Sequence, residues 1–284
     1  MRRDRLTCAP IAPSTARMIR RRSAAFALAL LPLLAACSRE KKLDPPTSAA
    51  SRAAGEATAT TAAWCGEGWR ALDDGACLAL PERVAPPASV VVFAHGMIAP
   101  DALPTDEQAT LLAAARAHGF AVLFPRGKAG LCTWEPGVVE HLCWPTKQEV
   151  VDTAGPGILA GWDKAQAQAE AQAGVRFARR YLFGFSNGGY FVAFLTVEGR
   201  YRVDGAGLVG AGRTAVDESL TGPARPPFYL AVGEQEAEFT RQDAATLAQV
   251  LARGGWKTEH VVHPGRGHEL HEDDLAAAWA LWGR

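Results

Sequence analysis

A serine flanked by glycines is the residue best placed to do chemistry in this sequence. It lies in RRYLFGFSNGGY, residues 179–190, where Gly184, Ser186 and Gly188 fit the pattern G-x-S-x-G. That pattern is typical of a serine on a strained turn between a buried strand and a helix. RYLFGF predicts the strand and YFVAFLTV the helix. We therefore predict an exposed nucleophile at Ser186; an inert serine in a glycine-rich turn is the alternative.

A serine hydroxyl is a weak nucleophile unless a base takes its proton. On a strand–turn–helix site of this kind the base comes last in the chain, after the acid. His268 fits best, because it lies in the glycine-rich loop HPGRGHELH that follows the last predicted strand. His263 ends that strand and is expected to be structural, whereas His271 is expected in the first turn of the following helix.

The acid that orients the base is expected just after the predicted strand FYLAVG. The chain there reads GEQEAEF and offers no aspartate, but a glutamate can hold an imidazole in the same way. Glu236 is the preferred acid, followed by Glu238 and then Glu234. The alternative is that all three are solvated charges near the start of a helix.

Backbone amides complete such a site by binding the oxyanion that forms on the substrate. His95 and Gly96 follow the predicted strand SVVVFA, and Gly96 allows the chain to approach a substrate closely. We predict that the N–H group of Met97, or alternatively that of its neighbour, forms the oxyanion hole together with the N–H group of Asn187. His95 is expected to be structural.

Alternating strands and helices must position these residues. Six apolar runs predict buried strands, and six helices are expected between and after them. The predicted strands are SVVVFA, FAVLFP, RYLFGF, GAGLVG, FYLAVG and TEHVVH. The first predicted helix begins at Thr105 with a capping box to Gln108 and ends at Gly119. The other five are expected at 158–173, directly after Ser186, near Val216, at 240–253 and at 269–281. A hairpin around an Asp-Asp-Gly turn precedes them. The order predicts a mostly parallel sheet with helices on both faces.

The loops beside the predicted nucleophile indicate an open site. Only residues 211–226 separate GAGLVG from FYLAVG, which leaves no room for a large lid. The irregular segment 126–157 leaves the same sheet edge as the serine and carries Trp134 and Trp144. We expect these tryptophans to form an aromatic wall for a substrate ring or, alternatively, only to pack the loop.

Four cysteines follow the N-terminal region, and an even number in an exported chain predicts two disulfides. Three pairings are possible, and the two local ones, Cys65 with Cys77 and Cys132 with Cys143, are favoured. A zinc site would need tighter cysteine spacing with partnering histidines, so we expect neither a metal nor another cofactor.

The N-terminal residues resemble a bacterial lipoprotein signal. From Met18, which could be the true start, the chain reads MIRRRSAAFALALLPLLAAC, a basic cluster followed by an apolar run too short to span a bilayer. We predict a signal peptide at 1–36, lipidation of Cys37, and a tether at 37–63 that lacks hydrophobic periodicity. The domain proper is then 64–284, anchored in the bacterial envelope, at the outer membrane or facing the periplasm. A chance cysteine after an ordinary signal is the alternative.

Charge excludes one class of partner. The chain has 30 basic and 30 acidic residues, and residues 1–36 hold seven arginines and one aspartate, which leaves 23 basic and 29 acidic residues in the predicted mature part. A net-acidic domain lacks the electrostatic footprint of a nucleic-acid-binding protein, so no nucleic-acid partner is expected.

Five segments together resemble the α/β-hydrolases, and in particular the secreted esterases grouped with polyhydroxybutyrate depolymerases and feruloyl esterases. They are VVVFAHG, FAVLFPRG, RRYLFGFSNGG, FYLAVGEQE and GRGHEL. The resemblance implies a Ser186–His268–acid triad with the acid at Glu236, where that family usually has aspartate. It also implies hydrolysis of esters, with feruloyl esters and polyesters as the substrates of the families named. The expected absence of a lid separately favours bulky or polymer-attached esters and small aryl esters.

Two other functions share these sequence features. A serine peptidase or amidase would use the same triad, although the prolyl-peptidase relatives usually carry an additional gating domain. A non-catalytic binding module on a hydrolase scaffold is the third hypothesis, and the missing aspartate favours it. An ester substrate is the expected partner, and the membrane is expected to be reached only through the lipid anchor.

Overall fold

The computed structural model describes residues 64–213 and 222–283, which form one eight-stranded sheet with helices on both faces. The strands lie in the order β1-β2-β4-β3-β5-β6-β7-β8. They are β1 (Arg70–Ala71), β2 (Cys77–Ala79), β3 (Ser89–Ala94), β4 (Ala121–Phe124), β5 (Arg179–Phe185), β6 (Gly205–Val209), β7 (Phe228–Gly233) and β8 (Thr258–His263). The neighbouring strands from β4 across to β8 pair in parallel. The pairs β1–β2 and β2–β4 are antiparallel. The predicted fold class is therefore confirmed.

Side chains that alternate along the strands divide the core into two layers. The five helices are α1 (Thr105–His118), α2 (Gln148–Ala173), α3 (Asn187–Val197), α4 (Glu238–Arg253) and α5 (Glu272–Trp282). Val91 and Phe93 of β3 belong to the layer that α1 and α5 cover, and Val90 and Val92 to the layer under α2, α3 and α4. Both faces are covered, which is why these strands are nearly continuous apolar runs.

The parallel arrangement brings five loops to one edge of the sheet. The carboxyl ends of β3, β4, β5, β7 and β8 all lie at that edge. Ligands of open parallel sheets bind there. His95, Ser186, Glu236 and His268 each follow one of these strands, so residues far apart in sequence start from neighbouring positions.

The predicted capping box at the start of α1 is wrong. Pro104 occupies the N-cap, Thr105 is already helical, and no side chain caps this end. The Gln108 side chain points into the core instead, where it accepts the Gly66 N–H at 2.8 Å and donates to the Trp64 carbonyl at 3.0 Å. These two bonds hold the start of the described region against α1; Gly119 ends the helix as predicted, at φ 74°.

Helix α2 begins ten residues before the predicted start at Ile158 and runs through Pro156. Proline removes one helical hydrogen bond and normally kinks or ends a helix. Here the buried residues form a stripe at spacings of three and four on both sides of the proline: Val151, Gly155, Ile158, Trp162, Ala165 and Ala169. Burial of this continuous face outweighs the local penalty, and a local pattern around Pro156 does not reveal it.

The last two helices are shifted slightly from their predicted bounds. Helix α4 begins at Glu238 rather than at residue 240, and α5 begins at Glu272 rather than at residue 269. His271, predicted in the first turn of the last helix, lies just before it, where its N–H donates to the Asp274 side chain at 3.3 Å. The described ranges do not include residues 1–63 or the predicted helix near Val216. They also omit the middle of the 211–226 connection, whose short length is the reason that no large lid is predicted.

Both favoured disulfide pairings are confirmed. Cys65 bonds to Cys77 and Cys132 to Cys143, with Cα–Cα distances of 5.5 and 6.1 Å. The first joins the start of the described region to β2, and the second closes the irregular loop after β4.

None of the helices within residues 64–213 and 222–283 is long and apolar enough to cross a membrane.

Candidate active site

Ser186 lies at a strained backbone corner between β5 and α3. Its φ of 51° and ψ of −124° fall in a region that non-glycine residues rarely adopt. A Cβ at Gly184 would lie 2.6 Å from the Gly188 carbonyl oxygen, and a Cβ at Gly188 would collide with the carbonyl groups of Ala94 and His95. The two glycines therefore allow the chain to turn back tightly beside β3. Strain of this kind costs about 1–3 kcal/mol and clusters at functional sites.

The structure brings three of the predicted side chains into one hydrogen-bonded chain. His268 Nε2 lies 2.8 Å from Ser186 Oγ, and His268 Nδ1 lies 2.9 Å from each carboxylate oxygen of Glu236. An ionised carboxylate only accepts, so Nδ1 donates to Glu236 and leaves Nε2 free to accept the serine proton. The loops after β5, β7 and β8 supply one member each.

The alternative glutamates lie elsewhere. Glu238 is exposed in the first turn of α4 and accepts a hydrogen bond from the side chain one turn further along. Glu234 accepts the Gly265 N–H at 2.9 Å. Of the three, only Glu236 is buried and contacts His268. A glutamate at this position therefore reaches the imidazole despite its extra methylene.

Gly210, at the end of β6, lies directly against the Glu236–His268 pair. A Cβ there would lie 2.7 Å from Glu236 Oε1 and 3.0 Å from the His268 ring, and its φ of 60° already suits glycine. On the other side, the Phe185 ring centroid lies 4.9 Å from that of His268. These contacts limit where the half-exposed imidazole can move.

The other histidines near the end of the chain have structural partners. His263 Nε2 lies 2.8 Å from Oδ1 of the buried Asp274, which also accepts the Tyr229 hydroxyl at 3.2 Å. His271 lies at the start of α5. Neither histidine contacts Ser186.

The predicted oxyanion donors flank the serine. Asn187 is the first residue of α3 and Met97 follows β3, and both line the cavity that contains Ser186. Within the described ranges, neither backbone N–H donates to a protein acceptor. Both remain available to an oxygen on the substrate, which is what an oxyanion hole requires.

Hydrogen bonds to side chains fix the peptide between His95 and Gly96. Its carbonyl oxygen accepts from Trp144 Nε1 at 3.0 Å, and its N–H donates to Glu107 Oε1 at 3.1 Å. Since Glu107 occupies the Gly96 N–H, Met97 supplies the next free amide of this loop.

His95 fixes the peptide that carries the Met97 amide. Its Nε2 accepts the Gly127 N–H at 2.8 Å, so Nδ1 carries the proton, which it donates to the Gly96 carbonyl at 2.5 Å. In a trans peptide the N–H points opposite to the C=O, so this bond also sets the direction of the Met97 N–H. Burial lowers the pKa of His95 to about 4, which keeps the ring neutral.

The predicted aromatic wall is wrong for Trp144. Its side chain is 1% exposed and stacks on Phe191 at a centroid distance of 5.8 Å. The Asn187 side chain accepts the Trp144 N–H at 2.7 Å and donates to its carbonyl at 3.1 Å. Trp144 thus supports the loop that carries the Met97 amide. Trp134 is 46% exposed and lines the cavity, as a substrate contact would.

The cavity around Ser186 has a volume of about 630 Å³. Met97, Trp134 and Phe239 line it, and they are three of the six large apolar side chains exposed in the described ranges. Exposed apolar residues that gather around a nucleophile indicate a binding surface. In the same ranges, no three His, Cys, Asp or Glu side chains gather as metal ligands.

Several residues that line the cavity were not predicted from the sequence, and Tyr190, Phe239 and Asp243 are three of them. Helical spacing was an available signal, because Tyr190 follows Ser186 by four residues and Asp243 follows Phe239 by four. Which face of each helix meets the cleft depends on packing, however, and the sequence pattern alone does not decide it.

Structural comparison agrees with the observed topology. Esterase PE8 superposes with a TM-score of 0.53 at 20% identity over 72% of this chain and 94% of its own. SOBER1 of Arabidopsis thaliana gives 0.53 at 18% identity over 69% and 98% of the two chains. The chain has the α/β-hydrolase fold. YahD with malic acid is a further neighbour, with a TM-score of 0.50 at 13% identity over 72% and 97%. No protein-family model matches the sequence, and no curated protein matches it either.

Glu107 makes the stability of this site depend on pH. Burial raises its pKa from 4.5 to about 7, against the opposing hydrogen bond from Gly96, and Oε2 has no partner in the described ranges. Between these values the folded protein keeps a proton that the unfolded chain releases, so the free energy of unfolding falls as pH rises.

Glu107→Gln keeps an acceptor for Gly96 and removes the titrating group. We expect the variant to become more stable relative to the parent as pH rises from about 4.5 to about 7, with no further change above that range. Urea denaturation of both proteins at five pH values between 4 and 8 measures this. Parallel stability curves would show that Glu107 titrates normally.

Proposed function

We propose that this chain is a serine esterase that hydrolyses carboxylic esters through an acyl-enzyme. The observation that carries the proposal is the continuous hydrogen-bonded chain from Ser186 Oγ through the His268 imidazole to the Glu236 carboxylate. Esterase PE8, a structural neighbour with the same fold, supports the same reaction class. The binding-module hypothesis needs an inert serine, and the 2.8 Å contact between serine and imidazole argues against it.

In the acylation step, Ser186 Oγ attacks the ester carbonyl carbon while its proton passes to His268 Nε2. Glu236 stabilises the resulting imidazolium and holds the ring in position. The carbonyl oxygen becomes an oxyanion and binds the N–H groups of Met97 and Asn187. The carbon–oxygen bond to the alcohol then breaks, and His268 returns the proton to the leaving alcohol.

In the deacylation step, water replaces the alcohol. His268 takes a proton from the water as its oxygen attacks the acyl carbon, and the same two amides bind the second oxyanion. When the bond to Ser186 Oγ breaks, His268 protonates the serine and the carboxylic acid leaves. Because the imidazole is half exposed, water can reach it directly.

The cleft supports esters with a bulky apolar or aryl part. Trp134 and Phe239 offer exposed rings at its rim, and Met97 adds a flexible apolar side chain. Aryl, feruloyl and polymer-attached esters all present such a part, so we propose these classes as substrates.

Ser186→Ala is expected to lower kcat for a p-nitrophenyl ester by about a millionfold, because no acyl-enzyme can form. A fluorophosphonate should inactivate the parent, and peptide mass spectrometry should locate the adduct on Ser186. A panel of short acyl, aryl and feruloyl esters, run on residues 64–284, ranks the substrate classes. An unmodified Ser186 in a protein that still hydrolyses esters would overturn the proposal.

Glu236→Gln is expected to lower kcat about a thousandfold or more, because the neutral amide neither stabilises the imidazolium nor fixes its tautomer. Glu234→Gln and Glu238→Gln are matched controls and should change kcat less than threefold, since neither side chain contacts His268. Initial rates with the same ester measure all three. A large loss in either control, with Glu236→Gln near normal, would assign the acid elsewhere.

We also propose lipidation of Cys37 after removal of residues 1–36, followed by the tether at 37–63 and the catalytic domain at 64–284. The support is the sequence pattern alone, since these residues lie outside the described ranges. Expression in a bacterium with a clickable palmitate analogue should label the full chain and leave Cys37→Ser unlabelled. Equal labelling of both proteins would contradict the anchor in the bacterial envelope.

A further inference from the structure

The cleft has two arms of different character, one on each side of Ser186. In the sheet order, β4 and β7 lie on opposite sides of β5, whose end carries the serine. Trp134 and Lys147 come from the segment after β4, and Phe239 and Asp243 come from α4, after β7. One arm therefore carries a lysine and the other a carboxylate.

The arm after β7 combines an aromatic ring and a carboxylate on one helix face. Phe239 and Asp243 are one turn apart in α4, and both line the cavity. Tyr190, one turn after Ser186 in α3, donates its hydroxyl to Asp243 Oδ2 at 3.0 Å. The tyrosine thus holds the carboxylate in a fixed orientation beside the reacting centre.

The hydrogen bond from Tyr190 only partly offsets the cost of burying the Asp243 carboxylate. Burial raises its pKa, and the Tyr190 hydrogen bond opposes that change without cancelling it. No lysine, arginine or histidine forms an ion pair with it in the described ranges. Residues 214–221, outside those ranges, read TAVDESLT and contain no basic residue. A partly desolvated carboxylate without a cation is costly, and a cationic ligand would relieve that cost.

We propose that Tyr190, Phe239 and Asp243 form a subsite that binds a positively charged ammonium group carried by the ester substrate. This inference rests on the proposed esterase function and names one feature of its substrate. The Phe239 ring, 65% exposed, attracts a cation through its π face, and Asp243 attracts the same charge. Tyr190 is a positioning residue, because it acts through the carboxylate it orients.

Other ligand charges fit this arm less well. A substrate carboxylate would meet the negative charge of Asp243 and, nearby, that of Glu236. A neutral hydroxyl could donate to Asp243 but would leave its charge uncompensated. An ammonium group carries the charge opposite to that of Asp243 and can lie over the face of the Phe239 ring, so it uses both features of the arm.

Two esters of nearly the same shape test the subsite. Butyrylcholine carries a quaternary ammonium, and 3,3-dimethylbutyl butyrate replaces its nitrogen with carbon. We expect the parent to show a higher kcat/KM for butyrylcholine, and Asp243→Asn to lower that value about tenfold while changing the neutral ester less than twofold. Asn is nearly isosteric and still accepts from Tyr190, so the fold is retained. Phe239→Leu should lower the cationic value about threefold.

Glu238→Gln is the matched control, since it neutralises a carboxylate of the same helix that does not line the cleft. It should leave the ratio between the two esters unchanged. Equal effects of Asp243→Asn on both esters, or none on either, would overturn the subsite while leaving the esterase proposal intact. Loss of the preference in Glu238→Gln would assign it to the general field of the helix and overturn the subsite as well.

A binding measurement separates the inference from the chemistry. Calorimetric titration of butyrylcholine into Ser186→Ala should show binding that Asp243→Asn, added to the same background, weakens about tenfold. If the parent hydrolyses neither ester but this binding difference appears, the esterase proposal fails and the cation subsite stands. If Ser186→Ala and the double variant with Asp243→Asn bind butyrylcholine equally, the subsite proposal fails, whatever the esterase activity of the parent.

Discussion

The backbone of Ser186, held at φ 51° and ψ −124°, is the constraint on which the site depends. Two conditions maintain it: Gly184 and Gly188 leave no side chain where β5 and α3 nearly touch, and the Ser186 N–H donates to the Val209 carbonyl of β6 at 2.9 Å. The strain is offset by the surrounding sheet, whose strands are buried on both faces. As a result the hydroxyl projects from the sheet edge instead of packing into it.

In the proposed mechanism, the rest of the site supports the charges that would form during the reaction. His95, Glu107 and Trp144 fix two successive peptides, so the Met97 amide is oriented before any substrate arrives. Such preorganisation avoids the cost of reorienting dipoles in the transition state. Gly210 plays the corresponding part for the acid and base, because it lets the Glu236–His268 pair lie against the end of β6. Rigid strands and tightly packed loops thus hold both the proposed oxyanion donors and the proposed acid–base pair in place.

Much of the fold follows from local sequence, since the buried runs such as Val90–Ala94 and Phe228–Gly233 read as parallel strands. The order of serine, acid and histidine along the chain predicts an acid after β7 and a base after β8, but it does not choose among the glutamates there. The structure brings Glu236 to His268 and Ser186. Trp134, by contrast, lies within the loop closed by the second disulfide and Trp144 directly follows it, and only tertiary packing places one in the cleft and the other in the core. The continuation of α2 through Pro156 likewise depends on tertiary packing, which the local sequence does not reveal.

In the proposed mechanism, the Met97 and Asn187 amides point at the oxygen that becomes negative when Ser186 is acylated. A crystal structure of the phosphonylated protein, in which a phosphoryl oxygen mimics that oxyanion, tests it directly. We expect this oxygen within about 2.7–3.1 Å of both backbone nitrogens, with the His268 ring beside the alkoxy group. A phosphoryl oxygen that faces solvent, or that binds groups other than these two amides, would contradict it.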